Sequence, residues 1–118
     1  MISIAFKNNN VEKYCNNLKL VQKEFGLQIA KKLSQRLDDL KSFNTVFEVL
    51  NSGIDNPHLL IGDLDGCIGW DLNATVRIII RICDSFAENT VEQSKTITSV
   101  TVEGVRDYHG GNKKWLIN

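Results

Sequence analysis

Near the end of the chain, Arg106-Asp107-Tyr108-His109-Gly110-Gly111 sets a carboxylate, a phenol and an imidazole side by side just before two glycines. Such groups can orient a substrate, stack on a ring and move protons, and histidine is the side chain best suited to proton transfer near neutral pH. In a regular strand Asp107 and His109 share one face and Tyr108 points away, because side chains alternate. One site can use all three only if the strand ends or bulges there. The other histidine, His58, stands before the strand-rich half of the chain and is followed by Gly62, Asp63 and Gly66. Arg77 follows the Asn73-Ala74-Thr75 turn at the start of an apolar run, with its side chain expected on the face away from the core.

Other chemistries find no support in the spacing. Gly62-x-x-x-Gly66 lacks the Lys-Ser/Thr ending of a phosphate loop, and Gly66-x-x-Gly69 lacks the rest of a dinucleotide fingerprint, so no nucleotide cofactor is expected. Asp63, Asp65 and Asp71 do not match a calcium loop and read as turn residues, so no metal is expected. Cys15, Cys67 and Cys83 are odd in number and far apart, and form no CxxC. They indicate neither a disulfide framework nor a zinc site, and are expected as small buried apolar residues. Trp70 and Trp115 are expected as packing aromatics.

The elements that must position these groups are legible from periodicity. Ile2, Ile4 and Phe6 alternate with Ser3 and Ala5 as in a short strand with one buried face, and Asn8-Asn9-Asn10 ends it with a helix-capping residue. Val11, Tyr14, Cys15, Leu18, Val21 and Phe25 recur every three or four residues and predict one amphipathic helix. After Gly26, Leu27, Ala30, Leu33, Leu37 and Leu40 predict a second, paired with the first as an antiparallel hairpin. Lys19, Lys23, Lys31, Lys32 and Arg36 fall largely off the apolar stripes and are expected to form an exposed basic surface. Thr45 and Glu48 have capping-box spacing for a short helix over Val46 to Leu50.

Beyond Pro57 the period changes. His58 to Ile61, Cys67 to Leu72 and Val76 to Cys83 are short, rich in β-branched and aromatic residues and separated by turn sequences, which predicts an antiparallel meander. In the third run Val76, Ile78, Ile80 and Ile82 share one face, while Arg77, Ile79 and Arg81 share the other. A polar loop from Asp84 to Lys95 leads to a last strand over Ile97 to Arg106. The fold class expected is α+β: two N-terminal antiparallel helices and a short helix packed on a mainly antiparallel sheet of four to five strands.

Composition bounds the function. With 118 residues and 42% hydrophobic residues, the chain suits one compact domain over residues 1 to 118. Its longest apolar stretches are cut by Arg77 and Arg81, well short of the roughly 20 residues that span a bilayer. The N-terminus lacks the pattern of a secretory signal, so a cytoplasmic location with no membrane partner is expected. A net charge of zero disfavours a surface that is basic all round. The charge is uneven, however: Lys7 to Lys41 holds eight Lys/Arg against four Asp/Glu.

Taken in register, His58-Leu59-Leu60-Ile61-Gly62-Asp63, then Gly66, then Asn73-Ala74-Thr75-Val76-Arg77-Ile78-Ile79, then Asp107-Tyr108-His109, resemble the RelE/ParE toxin superfamily, and HigB toxins in particular. The resemblance covers residues 58 to 109, and the two helices match the remainder. It implies the toxin of a type II toxin-antitoxin module: a metal-independent endoribonuclease that cuts messenger RNA on the ribosome and is held inactive by a HigA-type helix-turn-helix antitoxin. It also implies a site built from His58, Arg77, Asp107, Tyr108 and His109. Histidines 58 and 109 would transfer protons, Asp107 would orient or act as base, Arg77 would stabilise developing charge and Tyr108 would stack on a base. Lys19, Lys23, Lys31, Lys32, Arg36 and Arg81 would contact RNA or the ribosome. Ile61 stands where the family usually has Lys, and Val76 where it has Trp. The tail Lys113 to Ile117 extends past the closing motif, to add a strand or meet the partner. Two other readings share the fold: a toxin of ParE type acting on DNA gyrase, and an antitoxin-binding homologue with weakened catalysis.

Overall fold

A computed structural model describes residues 1–82, 95–111 and 113–118. Short polar side chains set the helix boundaries. Asn8 accepts the Val11 amide at 2.9 Å and starts α1 (Asn9–Cys15). Asn17 accepts the Leu20 amide at 3.1 Å and starts α2 (Leu18–Phe25). The apolar stripe from Val11 to Phe25 therefore runs over two helices and not one. Asn17 competes for an amide of the helical ladder and restarts the helix, a preference that short polar side chains bring to caps. Gly26, at φ 95°, separates α2 from α3 (Leu27–Ser42) in a conformation open chiefly to glycine. The two helices pack as the expected hairpin. Thr45 and Glu48 form the predicted capping box of α4 (Val46–Leu50), with both reciprocal hydrogen bonds present.

Six strands follow the order β1-β5-β4-β3-β2, with β6 also on β5. They are β1 (Ser3–Phe6), β2 (His58–Leu59), β3 (Cys67–Asp71), β4 (Val76–Arg81), β5 (Ser99–Asp107) and β6 (Lys114–Ile117). The meander β2-β3-β4-β5 is antiparallel throughout. The sheet exceeds the expected four to five strands because both the first strand and the tail join it, the tail in one of the two roles expected for it. β1 joins parallel to β5 along Ser99 to Val102, and the tail adds β6 antiparallel along Val105 to Asp107. They divide between them the edge of β5 that β4 leaves open. A register shift opposite Ile79 and Ile80 leaves Glu103 between paired residues, and Gly104 follows at φ 150°. The absence of a side chain at Gly104 is what admits β6: a Cβ there would collide with the Ile117 carbonyl.

The two faces of the sheet differ in what covers them. Helix residues Val21, Leu33, Leu37 and Leu40 bury against Ile68, Trp70, Ile78, Ile80, Val102 and Val105 in one continuous core. Among the described residues the opposite face carries a small cluster of Leu64, Cys67 and Ile79, flanked by Leu60, Tyr108 and Trp115. The alternation expected for β4 holds: Val76, Ile78 and Ile80 join the large core and Ile79 the small one. Among the described residues no helix is long and apolar enough to cross a membrane. Cys83 and nearly all of the polar loop expected from Asp84 to Lys95 lie outside the described residues.

Candidate functional site

The open face gathers the cations and rings. Arg77 and Arg106 are register partners across β4 and β5, so both project from this face. Strand β5 ends at Asp107, and a single turn of 3-10 helix follows from His109 to Gly111. Tyr108 sits at that junction, with its amide on the Thr75 carbonyl at 2.7 Å. The strand thus terminates where a shared site requires it to. The Arg77 guanidinium lies 4.6 Å from the centre of the Tyr108 ring, and that of Arg106 lies 5.5 Å from it. Arg106 also lies 5.2 Å from the Trp115 ring, and Lys7 Nζ is 5.9 Å from the same indole. Cations near aromatic rings are attracted through the ring quadrupole.

Carboxylates orient two of these cations unequally. Asp71 accepts Arg77 Nε at 3.1 Å, fixing the guanidinium while leaving its terminal nitrogens for a ligand. Asp63 approaches Arg106 only to 3.8 Å and is itself 75% exposed. Asp107 accepts the His109 amide at 2.8 Å, which pins the turn that carries His109. His109 is exposed.

His58 stands elsewhere on the same face. It pairs in register with Gly69 of β3, and a Cβ on Gly69 would touch Leu60 and the Arg77 side chain. Arg77 and His58 therefore flank Gly69 from two sides. His58 Nδ1 lies 2.9 Å from the Asn56 carbonyl. A carbonyl oxygen only accepts, so Nδ1 is the donor in this contact, and in the neutral form of the ring Nε2 is then the nitrogen with the lone pair. β2 is three strands from β5, and His109 lies past the end of β5. At strand spacings of about 4.8 Å, β2 and β5 lie roughly 14 Å apart along the sheet. The structure thus brings Arg77 and Tyr108 together, sets Asp107 and His109 at their edge, and leaves His58 across the sheet.

The expected basic surface is smaller than its sequence suggests. Lys19, Lys23 and Lys31 are exposed on α2 and α3. Lys32 is partly exposed and pairs with Asp55 at 3.7 Å. Arg36 is a correction: it is fully buried, paired with Asp39 at 2.9 Å and with Asp55, and lies 5.2 Å over the Trp70 ring. Two carboxylates and an indole compensate its charge, as burial of a guanidinium requires. With Trp70 Nε1 on the Ile54 carbonyl at 2.6 Å and the Asp71 amide on Asp55, Arg36 fixes the segment that leads into His58. Arg81 is engaged by Glu103 at 3.3 Å. These lysines lie on the helix side of the sheet, opposite the stack of rings. Ile61, in the place of a lysine usual in the resembled family, is 85% exposed.

Arg106 and Trp115 are the neighbours that sequence reasoning missed as members of the site. The signal for Arg106 was its place two residues before Tyr108, hence on the same strand face. Trp115 gave no such signal, because its position depends on β6 folding back along β5.

No family model and no curated protein matches the chain. Solved structures do. The YoeB-YefM complex from Staphylococcus aureus matches 92% of this chain and 98% of its own, at 19% identity and a TM-score of 0.55. A heterotetrameric YoeB-YefM toxin-antitoxin complex from the same organism matches at 19% identity and a TM-score of 0.53. A YoeB/ParE toxin from Agrobacterium tumefaciens matches 92% of this chain and 100% of its own, at 15% identity and a TM-score of 0.56. The α+β fold is the one seen in these YoeB-YefM and YoeB/ParE structures, along nearly the whole of each chain.

Proposed function

We propose that this chain is the toxin of a type II toxin-antitoxin module, a HigB-type endoribonuclease that cuts messenger RNA on the ribosome without a metal. The observation that carries the reading is the Arg77 guanidinium at 4.6 Å over the Tyr108 ring, where β5 ends in Asp107-Tyr108-His109. A cation able to hold a phosphate and a ring able to stack on a base are the two contacts that single-stranded RNA offers most readily.

In the reaction, a 2′-hydroxyl attacks the adjacent phosphorus. The 2′-oxygen–phosphorus bond forms and the bond to the 5′-oxygen breaks. One proton leaves the hydroxyl and one reaches the departing oxygen. His58, with its free Nε2, takes the first proton, and His109, on the turn pinned by Asp107, supplies the second. The two histidines approach the RNA from different sides. Arg77 stabilises charge on the non-bridging oxygens, and Tyr108 positions a base. Exposed Lys19, Lys23 and Lys31 on the helix side offer ribosomal RNA contacts away from the cut. The partner in the cell is a small antitoxin encoded beside the toxin, of HigA type by the resemblance. The chain would act in the cytoplasm as a single domain.

A second reading is favoured by Ile61, an exposed apolar side chain in the place of a site lysine: a toxin of ParE type with DNA gyrase as its target. Inducing the chain in bacteria without its neighbour, and mapping messenger RNA 5′ ends, separates the two. The nuclease reading expects new ends inside translated frames that vanish in His109→Ala. Growth arrest with no new ends would move the assignment to gyrase, and no arrest would leave an antitoxin-binding homologue.

A further inference from the structure

Arg106 is nine-tenths buried, and its Nε has no hydrogen-bond partner among the described residues. Its guanidinium lies between two rings, Tyr108 and Trp115, which supply attraction but no hydrogen-bond acceptor in the guanidinium plane. Its one ion pair among the described residues spans 3.8 Å to an exposed carboxylate, a contact worth little against the cost of desolvating a cation. Its register partner is another arginine, and like charges directly opposite each other destabilise a sheet. Arg77 has Asp71 to offset this; Arg106 has nothing comparable.

The fold nevertheless holds Arg106 there firmly. Strand β6 returns along β5 and sets Trp115 against it. Gly104 makes room for that return, and Ile117 is buried beneath it. Lys7 reaches the Trp115 ring and donates to Asn118 Oδ1 at 2.8 Å, tying the tail to β1. A cation kept in so costly a place, beside a second cation on the open face of the sheet, is arranged for an anion that the free chain does not supply.

We infer that Arg106 is a second phosphate contact: it takes the phosphodiester next to the one facing Arg77, so the open face grips single-stranded RNA by at least two consecutive phosphates. Trp115 keeps the guanidinium flat, and Asp63 is a weak stand-in for the phosphate, displaced when RNA arrives. The inference rests on the RNA-cleaving reading above.

The test is the salt dependence of binding to a short 2′-O-methyl RNA, whose blocked hydroxyl prevents cleavage. Wild type is compared with Arg106→Gln, Arg106→Lys and Asp63→Asn, each checked for a native circular dichroism spectrum. Loss of one phosphate contact on a single strand makes the slope of log affinity on log salt shallower by about 0.7, which is expected for Arg106→Gln. Arg106→Lys, which keeps the charge, retains the slope. Asp63→Asn, at an exposed position, retains the slope and tightens binding by about two- to fivefold, the worth of a weak exposed pair. An unchanged slope in Arg106→Gln overturns the subsite, as does weaker or unchanged binding in Asp63→Asn. A wild-type chain that binds no 2′-O-methyl RNA overturns it too, even where cells show cuts. Cells without new 5′ ends remove the nuclease reading instead, whatever the slopes.

Discussion

The two faces of β3, β4 and β5 are made by the same strands and do opposite work. On the helix side every second residue, from Ile68 and Trp70 to Ile78, Ile80, Val102 and Val105, is sealed against α2 and α3. On the other side the intervening residues include Arg77, Arg81, Arg106 and Asp71, with Cys67 and Ile79 the buried apolar ones among the described strand residues. Each face also holds one deeply buried arginine, and the two are treated differently. Arg36 is neutralised by Asp39 and Asp55, whereas Arg106 has rings and a distant, exposed carboxylate. The first is a structural tie and the second is a cation in want of a partner. A two-residue period thus lets one sheet seal one face against the helices and leave charged groups on the other.

The comparison breaks most sharply at Trp70. Replacing it with Ala opens the large core and strands the Ile54 carbonyl, so a loss of about 3–5 kcal/mol is expected in urea unfolding. A loss as small as that of an exposed substitution would mean that the helix face is not where stability lies. On the open face, Gly104→Ala drives a methyl group into the Ile117 carbonyl at a backbone angle that suits glycine. About 1–3 kcal/mol of destabilisation is expected, with the Trp115 fluorescence shifting as β6 lifts. An unperturbed indole would show that β6 does not depend on that glycine.

Much of this contrast was legible before the fold was known, and the reasons are local. Alternation in β4 announced which residues face the helices, and Thr45 with Glu48 announced α4. The closing Asp107-Tyr108-His109 was recognisable as chemistry, although only the ending of β5 shows how Tyr108 meets Arg77. What escaped detection depends on distant partners. The stripe from Val11 to Phe25 passes smoothly over the break at Asn17, because periodicity does not register a cap. Arg36 looked solvated because Asp55 and Trp70, which bury it, lie far along the chain. The parallel pairing of β1 and the return of β6 leave no local period at all, and Trp115 and Arg106 were hidden with them.

A smaller effect sharpens the comparison through the two described cysteines, Cys15 and Cys67, one on each side of the sheet. Burial pushes the Cys15 thiol up to about 12 and the Cys67 thiol up to about 11. Their protons are held more tightly in the folded than in the unfolded chain, so this contribution is intact below about pH 9 and is lost as pH rises through those values. Stability measured in urea should therefore fall more steeply between pH 9 and 11 in wild type than in Cys67→Ala. Equal slopes would mean that the small cluster of the open face does not exclude water from Cys67.

The separation of roles is tested most directly by cleavage of ribosome-bound messenger RNA in a purified translation system, comparing wild type with Arg77→Ala. Arg77 is partly exposed on the open face and outside the large core, so its loss should shift the unfolding midpoint little while lowering the cleavage rate by about a hundredfold or more, the scale of removing one charge-stabilising donor. Cleavage by Arg77→Ala at the wild-type rate, or loss of activity only in step with loss of folding, would contradict the assignment of the open face to function.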